Sequence, residues 1–326
     1  MFNNSRIFIS GATGSWGKTL IKILLADHTV KQIVCFSRGE LAQVLLKREI
    51  NDPRLKFVIG DIRDLHAVKM ATQGIDYIFH LAALKHVPIC EDQPDEVIKT
   101  NVVGTQNIIS AAIKNQVQKV INVSSDKACE PINMYGMTKA IGERLILQAN
   151  NLSLHTRFVC IRGGNVMGSS GSVIPFFIEQ INAGGPITIT DLRMTRFFLT
   201  LEEAITLLFE ASEASIGGEM FVMRMPAGSI KSLATILMNR YGNVPIIETG
   251  IRPGEKLEEV LVSSHESYRT RCWNSNYYVI LPPDADQKLL SKYSGLSKFP
   301  YIEYSSNTIV LTDTELENEL IKGGFI

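Results

Sequence analysis

The chain has no surplus of either charge: 33 Lys and Arg face 33 Asp and Glu among 326 residues. A protein that holds nucleic acid by bulk electrostatics needs a basic excess, so no nucleic-acid partner is expected. No stretch reaches the ~20 successive apolar residues that a membrane-spanning helix requires. The first residues, Met-Phe-Asn-Asn-Ser-Arg, run straight into a strand-like segment. No basic region, separate apolar stretch and cleavage site stand there, so neither a signal peptide nor a membrane partner is expected. The five cysteines (Cys35, Cys90, Cys129, Cys160, Cys272) are scattered, and none forms a C-x-x-C pair. Neither a zinc site nor a disulfide framework is indicated; no metal is expected, and free thiols in a cytoplasmic protein are the plain reading. What is present is 45% apolar and 20% charged residues, the composition of a globular chain with a sizeable core. The length corresponds to about two domains.

Short apolar runs alternate with helical patterns through the first half. The runs are 6–10 (RIFIS), 32–36, 55–59, 77–81, 120–123 and 158–161; helices are expected at 19–26, about 95–114 and about 133–149. Near-continuous apolar strands separated by helices imply a parallel sheet covered on both faces, hence a doubly wound, Rossmann-like α/β domain at 1–162. After 163 glycine becomes frequent (Gly163, Gly164, Gly168, Gly171, Gly184, Gly185) and short strands at 187–190 and 196–200 mix with helices at 201–214 and 230–240. This predicts a smaller α+β lobe at 163–326, mainly substrate-binding, with no element assigned to the tail from about 284.

Gly11-Ala-Thr13-Gly14-Ser15-Trp16-Gly17 follows the first strand and opens the first helix. Glycines at this spacing permit a tight turn and close backbone approach to a pyrophosphate, and the helix start offers N–H donors and a positive dipole end. The second strand ends in Ser37-Arg38, where an acid would favour NAD. Arg38 suits a 2′-phosphate, so NADP is expected over NAD, although Glu40 lies nearby. Asp61 and Ile62, past the third strand, are placed either to meet the adenine or to cap the loop.

Tyr135 and Lys139 stand four residues apart in a helical pattern, one turn apart on one face. A phenol near pKa 10 needs a neighbouring cation to serve as a base, and Lys139 and a nicotinamide ring both favour the phenolate. Just before them lie Ser125, Asp126 and Lys127 at the end of the fifth strand, where open parallel sheets bind ligands. Ser125 offers a hydroxyl to the substrate oxygen that loses its proton. Once a sugar carbon is oxidised to a ketone the neighbouring C–H is acidic. A base then takes that proton while an acid protonates the departing hydroxyl beyond it. An adjacent acid and base fit that loss of water; an exposed ion pair of no catalytic use is the other reading. Lys127 must be neutral to serve. Lys139, the oxidised nicotinamide and partial burial are expected to depress it.

On these residues the chain resembles the extended short-chain dehydrogenase/reductases, and among them the inverting UDP-N-acetylglucosamine 4,6-dehydratases that begin pseudaminic acid synthesis. The matching segments are 11–17, 36–40, 60–64, 80–88, 99–101, 124–139, 164–177, 189–197 and 250–259. The resemblance implies an NADP enzyme with Tyr135 as base at the C-4 hydroxyl. Lys139 would lower its pKa and hold the nicotinamide ribose. It implies Lys127 as base at C-5 and Asp126 as acid to the C-6 oxygen, with the C-5 proton re-added from the opposite face. Ala82, Lys85 and His86 match positions beside cofactor and substrate; Asn165, Val173 and Thr190 match sugar-nucleotide contacts; Arg252 and Glu255 match a clamp on the UDP part. A homo-oligomer is implied. Two positions depart from the family's pattern: Ser125 stands where Thr is usual, and Gly163 where Tyr is usual, which would open the pocket near the sugar. A sugar-nucleotide epimerase at C-4 or C-5 is the enzyme alternative, and a cofactor-sensing module without chemistry the non-enzyme one.

Overall fold

A computed structural model describes residues 1–168 and 172–326. Gly171, and with it the middle of the 164–177 motif, lies outside the described residues. Six strands alternate with helices in the first half: β1 (Arg6–Ser10), β2 (Gln32–Ser37), β3 (Leu55–Ile59), β4 (Tyr77–His80), β5 (Lys119–Ser125) and β6 (Arg157–Gly163). All pair in parallel, in the order 3-2-1-4-5-6. Every residue of β4 is buried, as are four of the five in β1, because helices cover both faces. The helix Ser15–Asp27 turns Leu20, Ile21 and Leu24 inward at helical spacing. The strand order reverses between β1 and β4, the switch point at which open α/β sheets bind their ligands.

The sheet continues past the expected boundary at 162/163. After β7 (Ile187–Ile189) and β8 (Thr195–Phe197), β9 (Met220–Met223) returns beside β6 in parallel. Tyr277–Ile280 and then Thr270–Cys272 extend the same sheet antiparallel. The segments MFVM and YYVI are buried at every residue, and only a sheet interior buries such a run on both sides. The smaller lobe is what remains. It packs the helices Val173–Asn182 and Ile230–Tyr241 around Ile174, Phe177, Ile181, Leu233 and Leu237. Among the described residues it carries three short strand pairs, β7 with Ile246–Glu248, β8 with Ala227–Ser229, and Val260–Val262 with Tyr304–Ser305. The tail ends in a helix, Asp313–Lys322, started by a capping box of Thr312 and Glu315.

The expected helix at 95–114 is three segments: Pro94–Val97, a π-helical stretch Ile98–Val103, and Gly104–Lys114. A π-turn admits one extra residue and re-aims the side chains beside it. Asn101 is the residue re-aimed. Its Oδ1 accepts from the Leu84 N–H at 2.8 Å, and its Nδ2 donates to the Leu84 carbonyl at 2.9 Å and to Thr138 Oγ1 at 3.0 Å. The loop after β4 is thereby tied to the helix of Tyr135 and Lys139.

Candidate active site

The glycine turn has the shape the sequence predicts. Gly11 has φ +72°, and a Cβ on it would lie 2.9 Å from the Ala82 nitrogen. A Cβ on Gly17 would lie 2.5 Å from the Ala12 carbonyl oxygen, so only glycine lets the helix sit against the turn. Gly14 caps the helix with no side-chain hydrogen bond, and its first turn carries no acid. The positive end of the dipole is thus left for an anion. Thr13, Ser15 and Trp16 belong to this turn and the first helical residues. The turn fits a dinucleotide's pyrophosphate: methyl groups at Gly11 and Gly17 would run into the Ala82 and Ala12 backbone and force the tight turn open.

Around the turn, Gln43 Nε2 donates to Ser37 Oγ at 3.0 Å, and Arg38 is exposed beyond the strand end. Both Asp61 oxygens accept from Arg63, at 2.9 Å from its N–H and 2.8 Å from its Nε. Burial would raise the Asp61 carboxyl, but the hydrogen bonds and charge of Arg63, with the charge of Arg38, hold it below its ordinary value. Ile62 is buried and its carbonyl accepts from Asn107 Nδ2 at 2.8 Å. The Ala82 N–H donates to Ser10 Oγ at 3.2 Å, and Ser10 Oγ shares a hydrogen bond of 2.8 Å with His80 Nδ1. His80 escaped the sequence reading. Buried in β4, its imidazole is pushed down to about 3 by desolvation and by the charge of Lys139. It is a neutral brace beneath the cofactor loop.

The catalytic candidates converge at the carboxyl end of β5. Ser125 Oγ donates to Asp126 Oδ1 at 2.8 Å and accepts from the Lys127 N–H at 3.2 Å, starting a single 3-10 turn, Asp126–Ala128. The helix Met134–Gln148 begins against that turn, capped by Asn133, whose Oδ1 accepts from the Gly136 N–H at 2.8 Å. A Cβ on Gly136 would stand 2.2 Å from the Lys127 carbonyl oxygen, so glycine there sets how closely Tyr135 approaches the Asp-Lys pair. Tyr135 is buried beside Cys90 and Val97. Lys139 Nζ donates to the Val123 carbonyl at 2.7 Å.

Lys127 is the hub. Its Nζ donates to Asp126 Oδ1 at 3.2 Å and to Asn165 Oδ1 at 3.3 Å, and lies 3.4 Å from Glu259 Oε1. The expectation of a depressed Lys127 is overturned. Desolvation does lower it, but the carboxylates of Asp126 and Glu259 reverse that and hold it well above its ordinary value, an ammonium at rest. Burial also pushes Tyr135 up, only partly offset by its hydrogen-bond contact with Ser125 and by the charge of Lys127. Asp126 Oδ2 is enclosed without a hydrogen-bond partner among the described residues.

Of the substrate-side candidates, Asn165 joins this cluster directly. Lys85 lies within its field: desolvation and the charge of Lys127 hold it below its ordinary value. His86 caps the short helix Val87–Asp92. Arg252 and Glu255 close a turn on each other, the Arg252 N–H donating to Glu255 Oε2 at 3.2 Å and the Glu255 N–H to the Arg252 carbonyl at 3.1 Å. That turn is docked on the segment between β5 and the Tyr135 helix by Asn133 Nδ2 to the Gly254 carbonyl at 2.8 Å and Lys256 Nζ to the Cys129 carbonyl at 2.9 Å. Val173 opens its helix, and Thr190 Oγ1 donates to Met194 Sδ at 3.2 Å; neither side chain joins the cluster. Gly163 opens no pocket. A Cβ on it would lie 3.0 Å from Met223 Sδ and 3.9 Å from Met225 Sδ, because methionine fills the room.

Behind the site, Arg162 is fully buried and binds Glu143 at 2.7 Å and Glu266 at 2.9 Å, joining β6, the Tyr135 helix and the short helix Ser264–Ser267. None of the three carries a sequence motif. A charged residue inside an otherwise apolar strand (FVCIR) was the available signal.

A family model described as polysaccharide biosynthesis protein matches residues 7–281. The chain belongs to this family. A UDP-N-acetylglucosamine 4,6-dehydratase (inverting) of Campylobacter jejuni is 44% identical over 285 residues, covering 86% of this chain and 84% of that protein. A UDP-glucose 4-epimerase of Rickettsia canadensis is 39% identical over 330 residues, covering 98% of this chain and 96% of that one. The crystal structure of Pen from Bacillus thuringiensis superposes with a TM-score of 0.91 at 38% identity, covering 100% of this chain and 99% of that one. This polysaccharide biosynthesis family member has, among its described residues, no helix long and apolar enough to cross a membrane.

Proposed function

We propose that the chain dehydrates a UDP-N-acetylhexosamine, UDP-N-acetylglucosamine first, to a UDP-4-keto-6-deoxy sugar with C-5 inverted. The observation that carries this reading is the hydrogen bond of 3.2 Å between Lys127 and Asp126, an acid and a base beside Tyr135. A nicotinamide dinucleotide on the glycine turn would accept hydride from C-4 and return it at C-6, so there is no net oxidation. Gly11, Gly14 and Gly17 would hold its pyrophosphate, with Lys139 at the ribose. The exposed Arg38 after the neutral Ser37 supports NADP over NAD.

Tyr135 takes the C-4 hydroxyl proton, with Ser125 orienting that oxygen. The resting pair, Lys127 ammonium and Asp126 carboxylate, is converted to its working form by one proton passing from Nζ to Oδ1 along their hydrogen bond. That single transfer makes Lys127 a neutral base and Asp126 a general acid at once. Lys127 then takes the C-5 proton, and Asp126 gives its proton to the C-6 oxygen, which leaves as water. Both groups return to their resting charges. Protonation of C-5 from the opposite face, with a proton drawn from solvent, inverts it, and Tyr135 gives the C-4 proton back to solvent, so the protons balance. Lys85, Asn165, Arg252 and Glu255 are the residues for the sugar nucleotide, an Arg being apt for a diphosphate. Exposed Ile98, Met137 and Ile141 support a homo-oligomer.

The Rickettsia relative favours a second reading, a UDP-sugar 4-epimerase, which would need Tyr135 and Lys139 but leave Asp126 and Lys127 without work. Incubation with UDP-N-acetylglucosamine separates the two: a product lighter by one water supports dehydration, and an isomer of unchanged mass supports epimerisation.

A further inference from the structure

Glu259 has no part in the roles above, yet its side chain ends among them. Oε1 lies 3.4 Å from Lys127 Nζ and 3.8 Å from Arg196 Nε, and Oε2 is enclosed without a hydrogen-bond partner among the described residues. Its backbone is pinned from behind. The Glu259 N–H donates to Ser306 Oγ at 3.0 Å, and its carbonyl accepts from the Ser306 N–H at 2.8 Å. Arg196 fixes the approach to it, donating to the carbonyls of Lys256 at 2.9 Å and Leu257 at 3.1 Å. A buried carboxylate held this firmly is costly to keep in place.

An ammonium has three N–H donors. Lys127 Nζ faces three acceptors, Asp126 Oδ1 at 3.2 Å, Asn165 Oδ1 at 3.3 Å and Glu259 Oε1 at 3.4 Å. Once a proton has passed to Asp126, two N–H bonds remain, one donated to Asn165 and the other facing Glu259 across the 3.4 Å ion pair. The vacated lone pair is then confined to the Asp126 side. We propose that Glu259 is a positioning residue for the dehydration: together with Asn165 it stops the Lys127 amine from rotating and aims its lone pair at the C-5 proton. The assignment rests on the dehydratase reading. It leaves the C-4 step alone, since neither Tyr135 nor Lys139 hydrogen-bonds to Glu259.

Two substitutions separate aim from charge. Glu259→Asp keeps the charge but withdraws the carboxylate by one methylene, roughly 1.5 Å. Glu259→Gln keeps the reach and an acceptor oxygen but loses the charge. Each full-length variant, with its nicotinamide cofactor, is given UDP-N-acetylglucosamine in deuterium oxide. Deuterium at C-5 and water loss are read together, and reduced-nicotinamide absorbance reports hydride removal at C-4. Glu259→Asp should slow C-5 exchange by about 10–100-fold while C-4 hydride removal stays within about threefold, and Glu259→Gln should keep most of the C-5 rate. Wild-type C-5 exchange in Glu259→Asp overturns the proposal. So does a Gln variant as slow as the Asp variant, or an equal fall at C-4 and C-5, which marks a general distortion. If Glu259→Asp does not fold, Glu259→Gln decides alone: loss of its C-5 exchange overturns the assignment, and retention with C-4 unchanged supports it. Wild-type enzyme that neither loses water from the substrate nor exchanges deuterium at C-5 overturns the dehydratase reading itself, before any variant is compared.

Discussion

Gly136→Ala should reduce turnover by about 100-fold while leaving cofactor binding intact. The added Cβ would stand 2.2 Å from the Lys127 carbonyl oxygen, where real Cβ atoms keep at least about 3.0 Å. The start of the Tyr135 helix and the 126–128 turn must therefore part by roughly 0.8 Å, and both sides of the clash are backbone, with no flexible side chain to yield. Tyr135 rides on one side and Lys127 on the other, so the separation falls on the two residues proposed as bases at the C-4 hydroxyl and at C-5. A misplacement of about 1 Å costs on the order of 10² in rate, and overpacking of this kind costs about 1–3 kcal/mol of stability. Water loss followed by mass spectrometry, cofactor affinity by fluorescence and a thermal melt separate the two effects. Wild-type turnover with a wild-type melt would refute the claim that this contact sets the geometry of the site.

Lys127→Ala should abolish water loss yet still permit hydride removal at C-4, seen as reduced-nicotinamide absorbance after substrate is added; full dehydration by that variant would remove Lys127 from the mechanism. Arg38→Asp should weaken NADP by about 10–100-fold, the worth of a charge-assisted phosphate contact of about 1.5–3 kcal/mol, and NAD far less; equal losses in a titration of both would contradict the cofactor assignment. Stability should fall with acid in two stages. Protonation of His80 is opposed by folding between its ordinary 6.5 and about 3, so unfolding is favoured as pH drops below about 6.5. Glu266, which burial would raise but Arg162 holds down to about 2, contributes stability above about 4.5 that is lost as pH falls towards 2. Chemical denaturation across that range should show a flatter acid limb in Glu266→Gln than in wild type, and parallel limbs would count against the buried Arg162 network.

The first half of the fold was legible because parallel strands buried on both faces read as plain apolar runs. The same signal stands in 220–223 and 277–280, but both runs are only four residues long and lie outside the regular strand–helix alternation, so the sheet's return is not marked. The interruption at Ile98–Val103 has no sequence mark, since Asn101 is drawn out of helical register by partners at Leu84 and Thr138. The tail helix did have one, Thr312 and Glu315 at capping-box spacing. In the site, residues on adjoining turns of one chain segment were readable: the 125–127 turn and the Tyr135 helix. Partners supplied from afar were not. Glu259 reaches Lys127 from a strand-like segment of the other half, and missing it reversed the expected direction of the Lys127 pKa. Gly136 and His80 act through a backbone gap and a buried hydrogen bond, which no spacing rule encodes.

The most direct test of the central claim is the reaction of the protein with UDP-N-acetylglucosamine and NADP in deuterium oxide, with the product read by mass and NMR. The account predicts a product lighter by one water, carrying deuterium at C-5, with the coupling pattern of an inverted centre. Water loss with C-5 retained would contradict the inversion, and an unchanged mass from every UDP-hexosamine would contradict the dehydration itself.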